Sequence, residues 1–137
     1  MITADSSVWI AYFTGDDTAA TRLLDAALDD SSSELVVLDL VLMEVLRGFR
    51  HERDWQVAKD LFEPLPLLSA GGRTVALRAA AIYRELRARG TTVRSAIDLM
   101  VGAWCMESGC ALLHADRDFI HMRGLPTWSA APDPRSH

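Results

Sequence analysis

Four carboxylates in this chain, Asp5, Glu44, Asp98 and Asp116, stand where chemistry could gather. Asp5 closes the short apolar stretch that opens the sequence and precedes Ser6-Ser7-Val8-Trp9-Ile10. Glu44 sits in Leu40-Val41-Leu42-Met43-Glu44-Val45-Leu46, just beyond a second strand candidate. Its apolar neighbours on nearly every side predict a mostly buried helix, where an unpaired carboxylate is costly. Asp98 lies near the start of the most apolar helix candidate, in Ser95-Ala96-Ile97-Asp98-Leu99-Met100-Val101. Asp116 follows another strand candidate, in His114-Ala115-Asp116-Arg117-Asp118-Phe119.

Each of these residues also has an ordinary structural use. Asp5 suits a helix N-cap, and Glu44 could pair with Arg47 along one helix. Ser95 and Asp98 have capping-box spacing, with Asp where Glu or Gln is usual. Asp118 is better placed than Asp116 to cap a short helix starting at Phe119, which leaves Asp116 without a structural task. The group argues more than its members do. Three of the four follow strands closely and the fourth opens an apolar helix, so parallel strands would bring them to one edge of a sheet. Carboxylates so gathered repel one another and take up protons unless a cation is bound. Hard divalent ions that prefer oxygen ligands, Mg²⁺ or Mn²⁺, match such a pocket. No His/Cys cluster suggests zinc.

The elements that must position these residues alternate along the chain. Strand candidates are Met1–Ala4, Glu34–Leu38, Leu65–Leu68, Ala111–His114 and a weaker Pro126–Trp128. Helix candidates are Ser6–Phe13, Thr18–Asp29, Leu40–Gly48, Asp54–Phe62, Thr74–Arg89, Ala96–Ser108 and Phe119–Arg123, with Gly90 and Gly109 as stops. This alternation predicts one α/β domain over residues 1–129 with a mainly parallel sheet. In such sheets ligands bind beyond the carboxyl ends of the strands. Residues 130–137, rich in Pro, Ser and Ala, are expected to form a flexible tail.

Composition sets the limits. At 137 residues, half of them hydrophobic, the chain can bury one core. No apolar run approaches the ~20 residues of a membrane span, and no signal peptide is recognisable at the start, so a cytoplasmic location is expected. Cys105 and Cys110 read as small buried hydrophobes in a reducing compartment. The net charge of −5 opposes a broad basic surface for nucleic acid. Yet thirteen of the fourteen basic residues are Arg, the side chain better suited to bidentate phosphate contacts.

The stretches Ile2-Thr3-Ala4-Asp5-Ser6-Ser7-Val8-Trp9-Ile10, Val41-Leu42-Met43-Glu44-Val45-Leu46-Arg47-Gly48, Ile97-Asp98-Leu99-Met100-Val101-Gly102-Ala103 and Leu112-Leu113-His114-Ala115-Asp116-Arg117-Asp118-Phe119 occur in order and with ordinary spacing. Together they resemble the PIN-domain family, most closely the VapC-type toxins that form the ribonuclease half of type II toxin–antitoxin modules. The resemblance covers residues 1 to about 128. It implies a three-layer α/β/α fold and Mg²⁺- or Mn²⁺-dependent endoribonuclease activity that leaves 5′-phosphate and 3′-hydroxyl ends. It further implies a homodimer and neutralisation by a cognate VapB-like antitoxin. Transfer RNA or ribosomal RNA would be the substrate, with inhibition of translation as the result. Carried over by position, Asp5, Glu44, Asp98 and Asp116 would form the catalytic metal site, with Asp118 as an auxiliary. Two departures stand out. His114 occupies a place where relatives often carry Thr or Ser, and Ser6 stands where Thr is common after the first Asp.

An acidic pocket on an acidic protein needs local positive charge to hold RNA. Arg94 and Arg117 are nearest the carboxylates in sequence, and Arg47, Arg50 and Arg53 follow Glu44. His114 could hydrogen-bond a carboxylate, approach the substrate or simply pack. Trp9, Trp55, Trp104 and Trp128 could stack on bases, although aromatic residues in apolar helices usually serve the core. Competing readings fit less well. Receiver domains need a Lys after a late strand, and Lys59 lies in an early helix. Aspartyl-phosphate phosphatases need Asp at position 7, which is Ser. A non-catalytic PIN-like module that binds RNA or a partner is the remaining alternative, and loss of an acidic ligand would favour it.

Overall fold

The apolar N-terminal stretch becomes β1 (Ile2–Ala4) in a computed structural model that describes residues 1–129; the expected tail, 130–137, lies outside the described residues. After β1 come α1 (Ser6–Phe13), α2 (Ala19–Asp29), β2 (Val37–Leu38), α3 (Asp39–Leu46), α4 (Glu52–Phe62) and β3 (Leu67–Leu68). The chain continues through α5 (Arg73–Ala88), α6 (Ala96–Ser108), β4 (Ala111–Leu113) and α7 (Arg117–Ile120).

Every strand pairing is parallel. Ile2 to Ala4 lie opposite Ala111 to Leu113, and Val37 and Leu38 opposite Leu67 and Leu68. A parallel bridge between Ile2 and Leu35 joins these two ladders, and a second, between Leu112 and Thr127, adds a segment outside β4. The order across the sheet is therefore β3, β2, β1, β4 and the Thr127 segment. Consecutive residues of the inner strands are buried alike: Thr3 with Ala4, Val37 with Leu38, Leu112 with Leu113. Side chains alternate between the faces of a sheet, so both faces are covered by helices. This is the expected three-layer α/β/α arrangement.

The strands are shorter than the apolar runs that announce them. Of Glu34–Leu38 only Val37 and Leu38 form a ladder, and of Leu65–Leu68 only the last two residues. Pro126–Trp128 contributes a single bridge, framed by hydrogen bonds from Leu112 N to Pro126 O and from Trp128 N to Leu112 O, each 2.9 Å. A run of apolar residues reports burial, and burial here outlasts pairing. Helix α3 also departs from expectation: Val41 and Val45 are buried, but Met43 faces solvent, so the helix is covered on one side only.

Helix α6 is apolar around most of its circumference and lies inside, burying Leu99, Val101, Gly102, Ala103 and Cys105. It ends at Gly109, whose φ of +72° suits a residue without Cβ. Gly102 has another purpose. A Cβ there would stand 2.5 Å from Met122 Sδ and 3.9 Å from Phe119 Cδ1, so its absence lets the α7 segment settle directly on α6. Cys105 and Cys110 are both free and buried, in keeping with their reading as small hydrophobes. Among the described residues no helix is long and apolar enough to cross a membrane.

Candidate active site

Parallel pairing brings the ends of β1 and β4 side by side, and the backbone N–H of Asp5 donates to Leu113 O at 3.0 Å. Asp5 is 3% exposed and is the N-cap of α1, its Oδ1 accepting from Val8 N at 3.4 Å. The Ser7 hydroxyl donates to the same carboxylate, 2.9 Å from Oδ2 and 3.1 Å from Oδ1. Of the two serines that follow Asp5, it is Ser7 whose hydroxyl reaches the carboxylate. An Asp followed two positions later by Ser carries the signal, because a capping turn folds the second hydroxyl back onto the carboxylate.

Asp98 occupies the first turn of α6, where Ser95 is the cap: its Oγ accepts from Asp98 N at 3.3 Å. The Asp98 carboxylate is half-buried, and Asp116 and Asp118 join it so that one oxygen of each lies within 4.8 Å of the others. The expected division of labour between the last two is reversed. Asp116 is the N-cap of α7, its Oδ1 accepting from Asp118 N at 3.0 Å, and the helix accordingly starts at Arg117 rather than Phe119. Capping through Asp116 turns the backbone so that Asp118, in the first helical turn, also enters the cluster.

Burial and crowding hold protons on this group. Burial pushes the Asp5 carboxyl up to about 6, and the Asp116 charge adds to it against hydrogen bonds from Ser7 and Val8. Asp98 is pushed up to about 7, first by burial, then by the charges of Asp5, Asp116, Glu44 and Asp118 in that order. Asp98 is thus the electrostatic centre on which the other four carboxylates act. Glu44 approaches from α3 with its side chain 18% exposed and Arg47 Nη2 at 3.6 Å. It lies outside the closest trio, and its contact with Arg47 is the pairing that the sequence offered.

Among the described residues, His114 makes no hydrogen bond to a carboxylate. Its ring packs on Phe119, with centroids 5.1 Å apart, and its buried Nδ1 has no hydrogen-bond partner. Burial lowers its pKa, against the charge of Asp116 and a nearby backbone group of that residue which does not reach bonding geometry. Arg94 and Arg117 are exposed, and neither forms an ion pair among the described residues. Trp9 belongs to the core, stacked on Phe13 and tilted against Phe62.

The clustered donors are all carboxylate oxygens. This set matches a hard divalent cation in chemistry, and the protons retained by Asp5 and Asp98 are the charge that such an ion would replace.

Known proteins agree with this picture. The PIN domain family model matches residues 2–125. A VapC ribonuclease of Mycobacterium bovis and ribonuclease VapC11 of Mycobacterium tuberculosis are each 29% identical over 131 residues, covering 96% of this chain and 98% of theirs. Among solved structures, VapBC2 from Rickettsia felis, bound to a DNA fragment from its promoter, superposes with a TM-score of 0.75 at 14% identity. DNA-bound VapBC from Salmonella typhimurium gives 0.73 at 18%. Each of these two matches covers 93% of this chain and 98% of the solved one.

Proposed function

The chain belongs to the PIN-domain family, and on that premise we propose that it is the toxin of a VapBC-type toxin–antitoxin pair, an endoribonuclease that depends on Mg²⁺ or Mn²⁺. The observation that carries this reading is the convergence of Asp98, Asp116 and Asp118 within 4.8 Å, beside a buried Asp5 whose backbone is tied to the end of β4. The named ribonucleases that match nearly the whole chain support the activity.

The residues divide the work by position. Asp98 and Asp5 would be direct ligands, with Asp116, Asp118 and Glu44 contributing directly or through water. A divalent ion bound there would acidify a water for attack and neutralise charge that develops on the phosphate. Ser7 keeps the Asp5 carboxylate oriented, as partners of a ligand usually do. Arg47 limits the repulsion that Glu44 adds. Arg94 and Arg117 would hold substrate phosphates, giving an acidic protein the local positive charge that RNA requires. Transfer or ribosomal RNA is the proposed substrate, cut at an unpaired loop, because unstacked bases are what proteins read in RNA. Two copies would assemble, and a VapB-like antitoxin would silence the site in a cytoplasmic complex.

The test incubates purified protein with transfer and ribosomal RNA and Mn²⁺, with and without chelator. Cleavage that needs the metal and falls on the order of 10²-fold or more in Asp5→Asn and Asp98→Asn is expected. Equal cleavage by wild type and both variants would refute the assignment.

A further inference from the structure

A cavity of about 430 Å³ opens beside the carboxylates, at the carboxyl ends of β4 and the Thr127 segment, between the N-terminal turns of α1 and α2. Ser7, Val8, Ala11, Leu23, His114 and Trp128 define its walls, and no charged side chain lines it among the described residues. Its volume lies within the roughly 300–1,000 Å³ of small-molecule sites, and its place at the strand ends is where parallel sheets bind ligands. We propose that this cavity receives an unpaired nucleobase of the RNA substrate, the one next to the phosphate held at the carboxylates.

Four observations meet here. The lining is neutral, which suits a flat uncharged heterocycle and suits neither a phosphate nor a cation. Trp128 contributes an indole, and bases stack on aromatic rings with little regard to sequence. His114 contributes a ring whose Nδ1 is shut off from solvent and has no partner among the described residues, which leaves Nε2 as the ring nitrogen able to offer a base edge a hydrogen bond. Finally, the cavity and the carboxylate site are joined through Ser7, which lines the cavity and donates its hydroxyl to Asp5. A nucleotide whose phosphate lies at Asp5 and Asp98 would therefore have a receptacle for its base next door. The cavity would then select which base this chain accepts.

The proposal rests on the nuclease reading, and its test separates the two. Full-length ¹⁵N-labelled protein in Mg²⁺ is titrated with the four nucleoside 5′-monophosphates, which contain no phosphodiester bond to cut, while the Trp128 indole N–H is followed. One or two of the four should shift that resonance. His114→Ala should need roughly tenfold more nucleotide for the same shift, whereas Trp128→Phe, which keeps a ring, should bind nearly as wild type with the shift read at neighbouring amides. An indole resonance unmoved by all four, or His114→Ala binding as wild type does, would overturn the proposal. In a second arm the ends of RNA cut with Mn²⁺ are sequenced. The expected outcome is a base preference in wild type that weakens in Trp128→Leu. A preference unchanged in Trp128→Leu would overturn the cavity's role and leave the nuclease standing. A nucleotide-dependent Trp128 shift in a protein that cuts no RNA would support the cavity and overturn the nuclease.

Discussion

Asp5 holds two positions at once: its side chain closes the first turn of α1, and its carboxylate faces the acidic cluster. The Ser7 hydroxyl reconciles them by donating to both carboxylate oxygens and so fixing their orientation. Ser7→Ala should therefore lower Mn²⁺ affinity or activity 10- to 100-fold, about the usual effect of losing a ligand's partner, while the fold melts near its normal temperature. Isothermal titration with Mn²⁺, paired with thermal melting, checks both halves. The raised carboxyls give a second prediction. Unfolded, Asp5 and Asp98 release protons near 3.8; folded and metal-free, they hold them to about 6 and about 7. The folded state binds more protons in between, so the stability they contribute is complete below 3.8 and lost as pH rises through 6 and 7. In chelator, the Tm of wild type relative to Asp98→Asn should fall over that window, and Mn²⁺ should restore it at neutral pH. A relative Tm that climbs with pH would contradict the assignment of these shifts.

At the scale of elements, α6 and α7 decide whether the cluster exists. Gly102 is one turn beyond Asp98, and its missing side chain leaves room for Met122 and Phe119. Gly102→Ala should push the flexible end of Met122 aside and leave Phe119 in ordinary contact. The cost in stability should be about 1 kcal/mol, the low end for overpacked sites, and Mn²⁺ affinity should fall by no more than the change in Tm suggests. Denaturant melts and metal titration measure the two effects separately. Most elements were legible because their apolar periodicity is strong: α1 and α6 begin and end where the sequence places them. Strand lengths were not, since Leu35 and Leu65 are apolar for reasons of burial and contribute at most a bridge to the ladders. The carboxylates were legible from their place after strands. Which aspartate caps α7 was not, because Asp116 and Asp118 both precede plausible first turns. Only the backbone at Asp116, extended with φ −100° and ψ 140°, decides between them. The packing role of Gly102 was not legible for a related reason: it matters through Met122 and Phe119, which are distant in sequence.

The whole molecule carries a net charge of −5, with nearly all of its positive charge on Arg. RNA binding should accordingly depend on a few local contacts and on the bound cation, with little help from a long-range field. With about two phosphates neutralised, the slope of log affinity against log salt should be near −1.4, about −0.7 per contact on single strands. Arg94→Ala and Arg117→Ala should each flatten it by roughly one contact, uniformly across RNA sequences. Fluorescence anisotropy on a loop oligonucleotide, using Asp98→Asn to prevent cleavage, provides the measurement; a slope unchanged in both variants would move the phosphate contacts elsewhere. Light scattering should give twice the 15.1 kDa chain mass, as the proposed homodimer requires.

Helix α7 is a single turn of four residues, held at its start by one Asp116 oxygen on the Asp118 amide. So short a helix has almost no cooperativity of its own, and such segments open at far lower free energy than a sheet centre. The same aspartates that tie it down are the ones a cation would grip. Loading the site should therefore slow deuterium uptake at residues 117–120 well before it changes uptake in β1 or β4. A ligand-sensing latch of this kind would make the state of the metal centre readable in the dynamics of its smallest helix.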